Sequence, residues 1–173
     1  MDIAVVIPAV KKNVAFTDDL VKKLAGVSLI QRAINKAREI TADQHIFIVT
    51  DSEEICLICQ RDGITEFYDK GFKFQSKNIL SNIRVLLRGI VSKYSKLIVL
   101  SPYTPLLNVE EIQKALEQFN VGKGKLLISV KREENRPFRW DGKDKILFGE
   151  KDQEWFIESQ AFQIISKDTL SSE

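Results

Sequence analysis

Residues 5–34 read VVIPAVKKNVAFTDDLVKKLAGVSLIQRAI. The stretch opens on apolar residues, crosses a polar segment of lysines and aspartates, and ends in a helical repeat. Residues 3–9 form a nearly continuous apolar run, which suits a strand covered on both faces. Ser28 with Gln31 makes a capping-box pattern for a helix over 28–40. Strand, long loop and helix form the unit with which many α/β proteins hold phosphate. Glycines in that loop let backbone N–H groups approach the oxygens. No glycine lies between Pro8 and Gly26, so the sequence keeps the plan of such a loop without its usual chemistry.

The same unit recurs down the chain. HIFIVT (45–50) reads as a second strand, and 51–61 as a helix opened by acidic residues at its positive end and stopped by Gly63. Residues 65–68 read as a short third strand, 71–77 as a loop, and 79–94 as a helix with one apolar stripe. KLIVL (96–100) is the fourth strand, Asn108 with Glu111 caps a helix over 109–119, and KLLISV (125–130) is the fifth strand. The segments 137–140, 146–148 and 155–165 are short and aromatic, and they read as antiparallel additions. Alternation of this kind predicts an α/β fold, a three-layer α/β/α domain with a mostly parallel sheet. Ligands in such sheets lie beyond the strand C-termini, where the strand order reverses. The loops at 10–23, 50–52 and 101–108 are therefore the ones to weigh.

Composition sets the outer limits. The chain has 173 residues, 44% of them hydrophobic, enough for one domain across 1–173. Charged residues make up 29% with a formal net charge of +2, and the signs are mixed, which predicts neither a nucleic-acid nor a membrane partner. No apolar run approaches the ~20 residues of a membrane span. Entry into a strand straight after Met1-Asp2 predicts no signal peptide and a cytoplasmic protein. Cys56 and Cys59 lie on one face of a helical pattern and read as small thiols packed on a sheet; a zinc site would need a second pair. The lone His45 reads as a surface residue at a strand start, since a general base would need a partner. The late aromatics Phe138, Trp140, Phe148, Trp155, Phe156 and Phe162 read as packing of the C-terminal addition, or, where exposed, as a partner surface.

Three stretches carry a resemblance. VVIPA with LAGVSLIQRAI, IFIVTDSEEICLICQRDG, and LIVLSPYTPLLNVEEIQKALE occur in this order, with weaker echoes in SVKREENRPF and ESQAFQII. Together they resemble the cytidylyltransferases that make CMP-activated sugar acids, acylneuraminate and related 3-deoxy sugar acids. The likeness covers nearly the whole chain and implies a nucleotide-diphospho-sugar-transferase type of fold. It implies CTP or a CMP-sugar as ligand, and magnesium as cofactor if the chain is active. Read residue by residue, the nucleotide side would be Pro8, Ala9, Lys11, Lys12, Asn13, Lys22, Lys23, Ser101, Pro102 and Thr104. The sugar side would be Asp51, Ser159 and Gln160.

The phosphate-gripping residues differ from the family pattern. Val10 stands for its arginine, Lys11 and Lys12 for two glycines, Asn13 and Val14 for a serine and a lysine, Asp19 for a second lysine and Leu20 for an asparagine. Ser101 replaces a glutamine and Leu107 an arginine, Asn78 falls at an aspartate, and Ser159 at the asparagine of an N-G-A segment. One unit charge at ~4 Å is worth about 4 kcal/mol at an effective dielectric near 20, and Asp19 reverses the sign of such a charge. Lys11, Lys12, Lys22 and Lys23 could supply another grip, or could pair with Asp18 and Asp19 in water. The family's acidic metal motif lies some tens of residues past the N-G-A segment, and the sequence to Glu173 supplies no metal ligands, which leaves room for a natural chain that continues. Asp51 is the one acid expected at a strand end, where a helix N-cap role competes with a functional one. The rival expectation is a catalytically inactive relative that binds a nucleotide sugar, a protein partner or a second copy of itself.

Overall fold

The computed structural model describes residues 3–11, 18–70, 91–122, 124–134, 138–140, 145–147 and 154–171. Strand β1 (Ile3–Ala9) is buried at every position. It pairs in parallel with β4 (Ile46–Thr50) on one side and β6 (Lys96–Leu100) on the other. Beyond β4 lies β5 (Thr65–Tyr68), also parallel. Beyond β6 comes β10 (Trp155–Ser166), antiparallel, and then β7 (Leu126–Glu133), antiparallel to β10 and so aligned with β6. The order is β5-β4-β1-β6-β10-β7, a mostly parallel sheet as expected. The late segment 155–165 is antiparallel as read, but it enters the main sheet between β6 and β7. Two small ribbons stand apart: β2 (Lys23–Leu24) with β3 (Val27–Ser28), and β8 (Phe138–Trp140) with β9 (Lys145–Leu147).

Helices α1 (Leu29–Ile40), α2 (Glu53–Asp62) and α3 (Val109–Val121) cover one face of the sheet. In α1 the buried residues are Ile30, Ala33, Ile34 and Ala37, the spacing of one helical face. Ser28 caps it, its hydroxyl accepting the Gln31 N–H at 3.3 Å. Gly63 ends α2 in the left-handed region at φ 69°, where a side chain would be strained. Asn108 caps α3 by accepting the Glu110 N–H at 3.4 Å, one residue earlier than the capping-box position. A short helix α4 (Lys167–Ser171) follows β10. On the opposite face Ala4, Val6, Phe47, Val49, Leu97, Val99 and Ile165 form a second cluster, edged by Val10, Phe67 and Tyr94. The expected loop at 71–77, Asn78 and most of the helix expected at 79–94 lie outside the described residues; what is described there is a 3₁₀ turn, Val91–Lys93. Among the described residues no helix is long and apolar enough to cross a membrane.

Smaller differences have local causes. His45 ends a 3₁₀ turn (Asp43–His45) ahead of β4 instead of opening the strand, and its Nδ1 lies 2.9 Å from the Tyr94 hydroxyl. β7 runs on to Glu133 because β10 pairs with it along its far half, Trp155 against Glu133. Of the late aromatics, Phe162 is buried in the sheet and Phe156 is exposed. Phe148 lies outside the described residues. Cys56 and Cys59 are both free thiols, and Cys59 is fully buried under α2.

Burial, with the Glu66 charge added, pushes the Cys59 thiol from 9.0 up to about 12. Unfolding releases that thiol to ionise at its ordinary value. Its contribution to stability is therefore complete below pH 9.0 and is lost as the pH climbs towards about 12. Urea titrations at pH 8 and pH 11 are expected to show a fall in stability that is smaller in Cys59→Ala. Iodoacetamide is expected to label Cys56 well before Cys59 in the folded chain.

Candidate functional site

The strand order reverses at β1: the chain moves outward to β4 and β5, then returns to β6 on the other side. The crevice between the C-terminal ends of β1 and β6 is thus the switch point where open α/β sheets take ligands. Among the described residues, five segments meet there: Val10-Lys11 after β1, the turn at 18–22, Asp51-Ser52 after β4, the first turn of α2, and the loop 101–108 after β6.

Lys11 is the centre of this edge. Its ammonium sits 2.6 Å from an Asp18 carboxylate oxygen and 2.5 Å from one of Glu54. Its backbone N–H donates to Asp51 Oδ1 at 2.7 Å. These bonds, led by those to Asp18 and Glu54, raise the Lys11 pKa above the ordinary 10.5 and keep it charged. Asp51 is buried and bonds the chain leaving β1, so it ties β4 to β1 and does not cap α2; the N-cap residue is Ser52. Asp18 is held in position by its neighbour Leu20, which is fully buried in the core and whose carbonyl accepts the Ile30 N–H at 3.0 Å. Asp18 itself adopts φ 66°, and its carbonyl accepts the N–H groups of Val21 and Lys22 at 3.2 and 3.1 Å.

Tyr103 spans the crevice. Its hydroxyl donates to the Val10 carbonyl at 3.1 Å, joining the exits of β1 and β6. Desolvation first, then the charges of Asp19 and Asp51, lift its phenol from 10.0 up to about 12. The loop carrying it is braced from within. Ser101 Oγ accepts the Tyr103 N–H at 3.3 Å, Thr104 Oγ1 donates to the Ser101 carbonyl at 3.2 Å, and Pro102 is buried. Lys36 of α1 donates to the Thr104 carbonyl at 2.5 Å, and desolvation, with Arg32 nearby, lowers its pKa.

A bulge in β10 forms the far wall. The register with β7 shifts between Glu158 and Gln163, and Gln160 takes φ 55°. Ser129 Oγ accepts from the Ser159 hydroxyl at 2.8 Å, the Ala161 N–H at 3.1 Å and the Phe162 N–H at 3.0 Å. The Ala161 carbonyl accepts the Ser101 N–H at 2.9 Å, which sets the bulge beside the crevice.

Of the residues singled out in the sequence, Pro8 and Ala9 are buried at the end of β1 as backbone wall. Lys11, Asp51, Ser101, Pro102 and Thr104 meet at the crevice, with Ser159 and Gln160 adjoining through Ala161. Lys22 and Lys23 are exposed on the β2–β3 side, and no described contact joins their side chains to the edge. Lys12 and Asn13 lie outside the described residues. Tyr103, Glu54 and Lys36 went unread. Tyr103 had a signal, an aromatic inside the S-P-x-T-P-L turn, whereas Glu54 reads as an ordinary helix-start acid and Lys36 as a surface lysine.

A family model described as Cytidylyltransferase matches residues 16–162. The chain belongs to the cytidylyltransferase family. A search of curated proteins finds no match. Among solved structures, the chain is similar to a CMP:2-keto-3-deoxy-manno-octonic acid synthetase complexed with CTP, at 10% identity and TM-score 0.75, over 98% of this chain and 76% of that one. It is also similar to a 4-diphosphocytidyl-2C-methyl-D-erythritol synthase from Anaerococcus prevotii, at 14% identity and TM-score 0.71, over 96% of this chain and 72% of that one. A cytidylyltransferase from Leptospira borgpetersenii aligns at 10% identity and TM-score 0.62, over 98% of this chain and 62% of that one. At these identities the structures establish a shared cytidylyltransferase fold.

Gln160 keeps a left-handed backbone that glycine adopts freely. Gln160→Gly is expected to stabilise the fold by about 1 kcal/mol, seen as a rise in thermal midpoint. A spectrophotometric pH titration is expected to show one phenol ionising near 12, absent in Tyr103→Phe.

Proposed function

We propose that the switch-point crevice takes a cytidine nucleotide, and that its role lies in activating a sialic-acid-like or other 3-deoxy sugar acid as its CMP derivative. Residues 1–173 would act as one nucleotidyltransferase-like domain in the cytoplasm. The observation that carries this reading is that a cytidylyltransferase chain brings Lys11, Asp51 and the loop 101–108 together at the strand-order reversal. In that reaction a sugar-acid hydroxyl attacks the α-phosphate of CTP, the bond to the β-phosphate oxygen breaks, and pyrophosphate leaves. The segment 10–23 would face the triphosphate, the loop 101–108 the base or ribose, and Asp51, Ser159 and Gln160 the sugar side.

Magnesium would neutralise triphosphate charge in such a reaction. Among the described residues no three His, Cys, Asp or Glu side chains converge as metal ligands, and Asp18 and Glu54 are engaged by Lys11. The described residues therefore do not fit a metal site.

The Lys11 ion pairs favour a second reading, a catalytically silent relative that binds a nucleotide sugar or a protein partner. Both readings meet in one experiment. Calorimetric titration with CTP, CMP and a CMP-sugar, with and without magnesium, is paired with a pyrophosphate-release assay on candidate sugar acids. Pyrophosphate release supports the transferase. Binding of CMP or CMP-sugar without release supports the silent relative. A chain that binds none of the three would overturn the nucleotide reading.

A further inference from the structure

We infer that Asp18 and Glu54 set the charge selectivity of the crevice: their carboxylates stand in for phosphate beside Lys11, so the crevice takes a ligand of low phosphate charge in preference to a polyphosphate. The inference rests on the crevice being the nucleotide site, and of the two readings above it favours the silent relative, which binds CMP or a CMP-sugar without turning over CTP.

An ammonium has three donors, and two of those of Lys11 point at carboxylates within 2.6 Å. The Lys11 side chain is 20% exposed, while those of Asp18 and Glu54 are 55% exposed, so the lysine lies beneath a rim of acid. Glu54 sits in the first turn of α2, the helix end that favours anions. Among the described residues, the lysine and the helix N-terminus at this edge are thus both answered by the protein's own carboxylates. Asp18 keeps its place because Leu20 is fixed in the core and the turn at 18–22 is closed by backbone hydrogen bonds.

A polyphosphate entering here would have to displace two short ion pairs and would then face the carboxylates so released. Asp19 and Asp51 add to that field, as their influence on the Tyr103 phenol shows. Repulsion grows with each phosphate charge, so a nucleoside monophosphate, or the diester of a CMP-sugar, meets far less of it than a triphosphate. A nucleoside could occupy the same crevice with Lys11 still paired. The phosphate-side residues then act as a filter on charge, and base and ribose recognition falls to the loop 101–108.

The test uses the full chain and inorganic tripolyphosphate, a probe without a base, by calorimetry at low ionic strength where screening is weak. Asp18→Asn/Glu54→Gln is expected to bind tripolyphosphate at least about tenfold more tightly than the parent chain, a step of about 1.4 kcal/mol. Glu54→Gln alone should gain part of this. Adding Lys11→Met to the double variant should abolish the gain, and CMP affinity should change much less. Circular dichroism melts check folding; the exposure of both carboxylates makes neutral amides compatible with the fold. The inference is overturned if the double variant gains nothing, if the gain survives Lys11→Met, or if CMP affinity rises as much. If CMP binds neither protein while the Lys11-dependent gain appears, the charge filter stands and the nucleotide assignment falls.

Discussion

Strand β1 is the constraint on which the molecule depends. Val5, Val6 and Ile7 have no exposed surface, and the strand carries apolar side chains alternately into both clusters of the core. Full burial of such side chains is worth about 1.5–3 kcal/mol each. A strand apolar on both faces must lie inside a sheet, with neighbours on both edges and cover above and below. Once it is central, the chain can only leave to one side and come back on the other. The crevice follows from that, since the exits of β1 and β6 diverge where the order reverses.

This explains which features could be read from residues alone. Runs such as IFIVT and KLIVL announce buried parallel strands because burial on two faces leaves no polar alternation. Ser28, Asn108 and Gly63 announce helix ends because capping chemistry is local. The insertion of β10 between β6 and β7 had no such mark. It depends on pairings such as Ile164 with Ile98 and with Leu127, which are distant in sequence and carry no charge or turn signal. The site was half legible for the same reason. The segments that would meet were predictable from topology, but the partner of Lys11 was not: Glu54 is 43 positions away. The expectation that aspartates in the first loop pair with its lysines holds for Lys11 and Asp18, while Asp51 turned out to bind the backbone instead of capping α2.

The crevice also separates shape from chemistry. Gln160 holds a left-handed conformation that costs a non-glycine residue about 1 kcal/mol. It persists because three groups bond the single hydroxyl of Ser129, and because the Ala161 carbonyl is fixed to Ser101. Backbone geometry there is imposed by surroundings and survives a change of side chain. Charge at the mouth has no such protection, since each ionic group is set by one residue.

That difference in how each property is encoded accounts for the molecule as a whole. The sheet is specified by many apolar residues acting together, so 10% identity to a synthetase is compatible with a TM-score of 0.75. Among the described residues, the electrostatics of the mouth are specified by a handful: Lys11, Asp18, Asp19, Asp51 and Glu54. A glycine-rich loop attracts a phosphate chain through exposed N–H groups, and it needs that part of the mouth left open. Leu20 does the opposite, because its side chain enters the core and draws the turn that bears Asp18 down onto Lys11. One apolar anchor thus helps to hold a carboxylate on Lys11, while the frame beneath is held by many residues together.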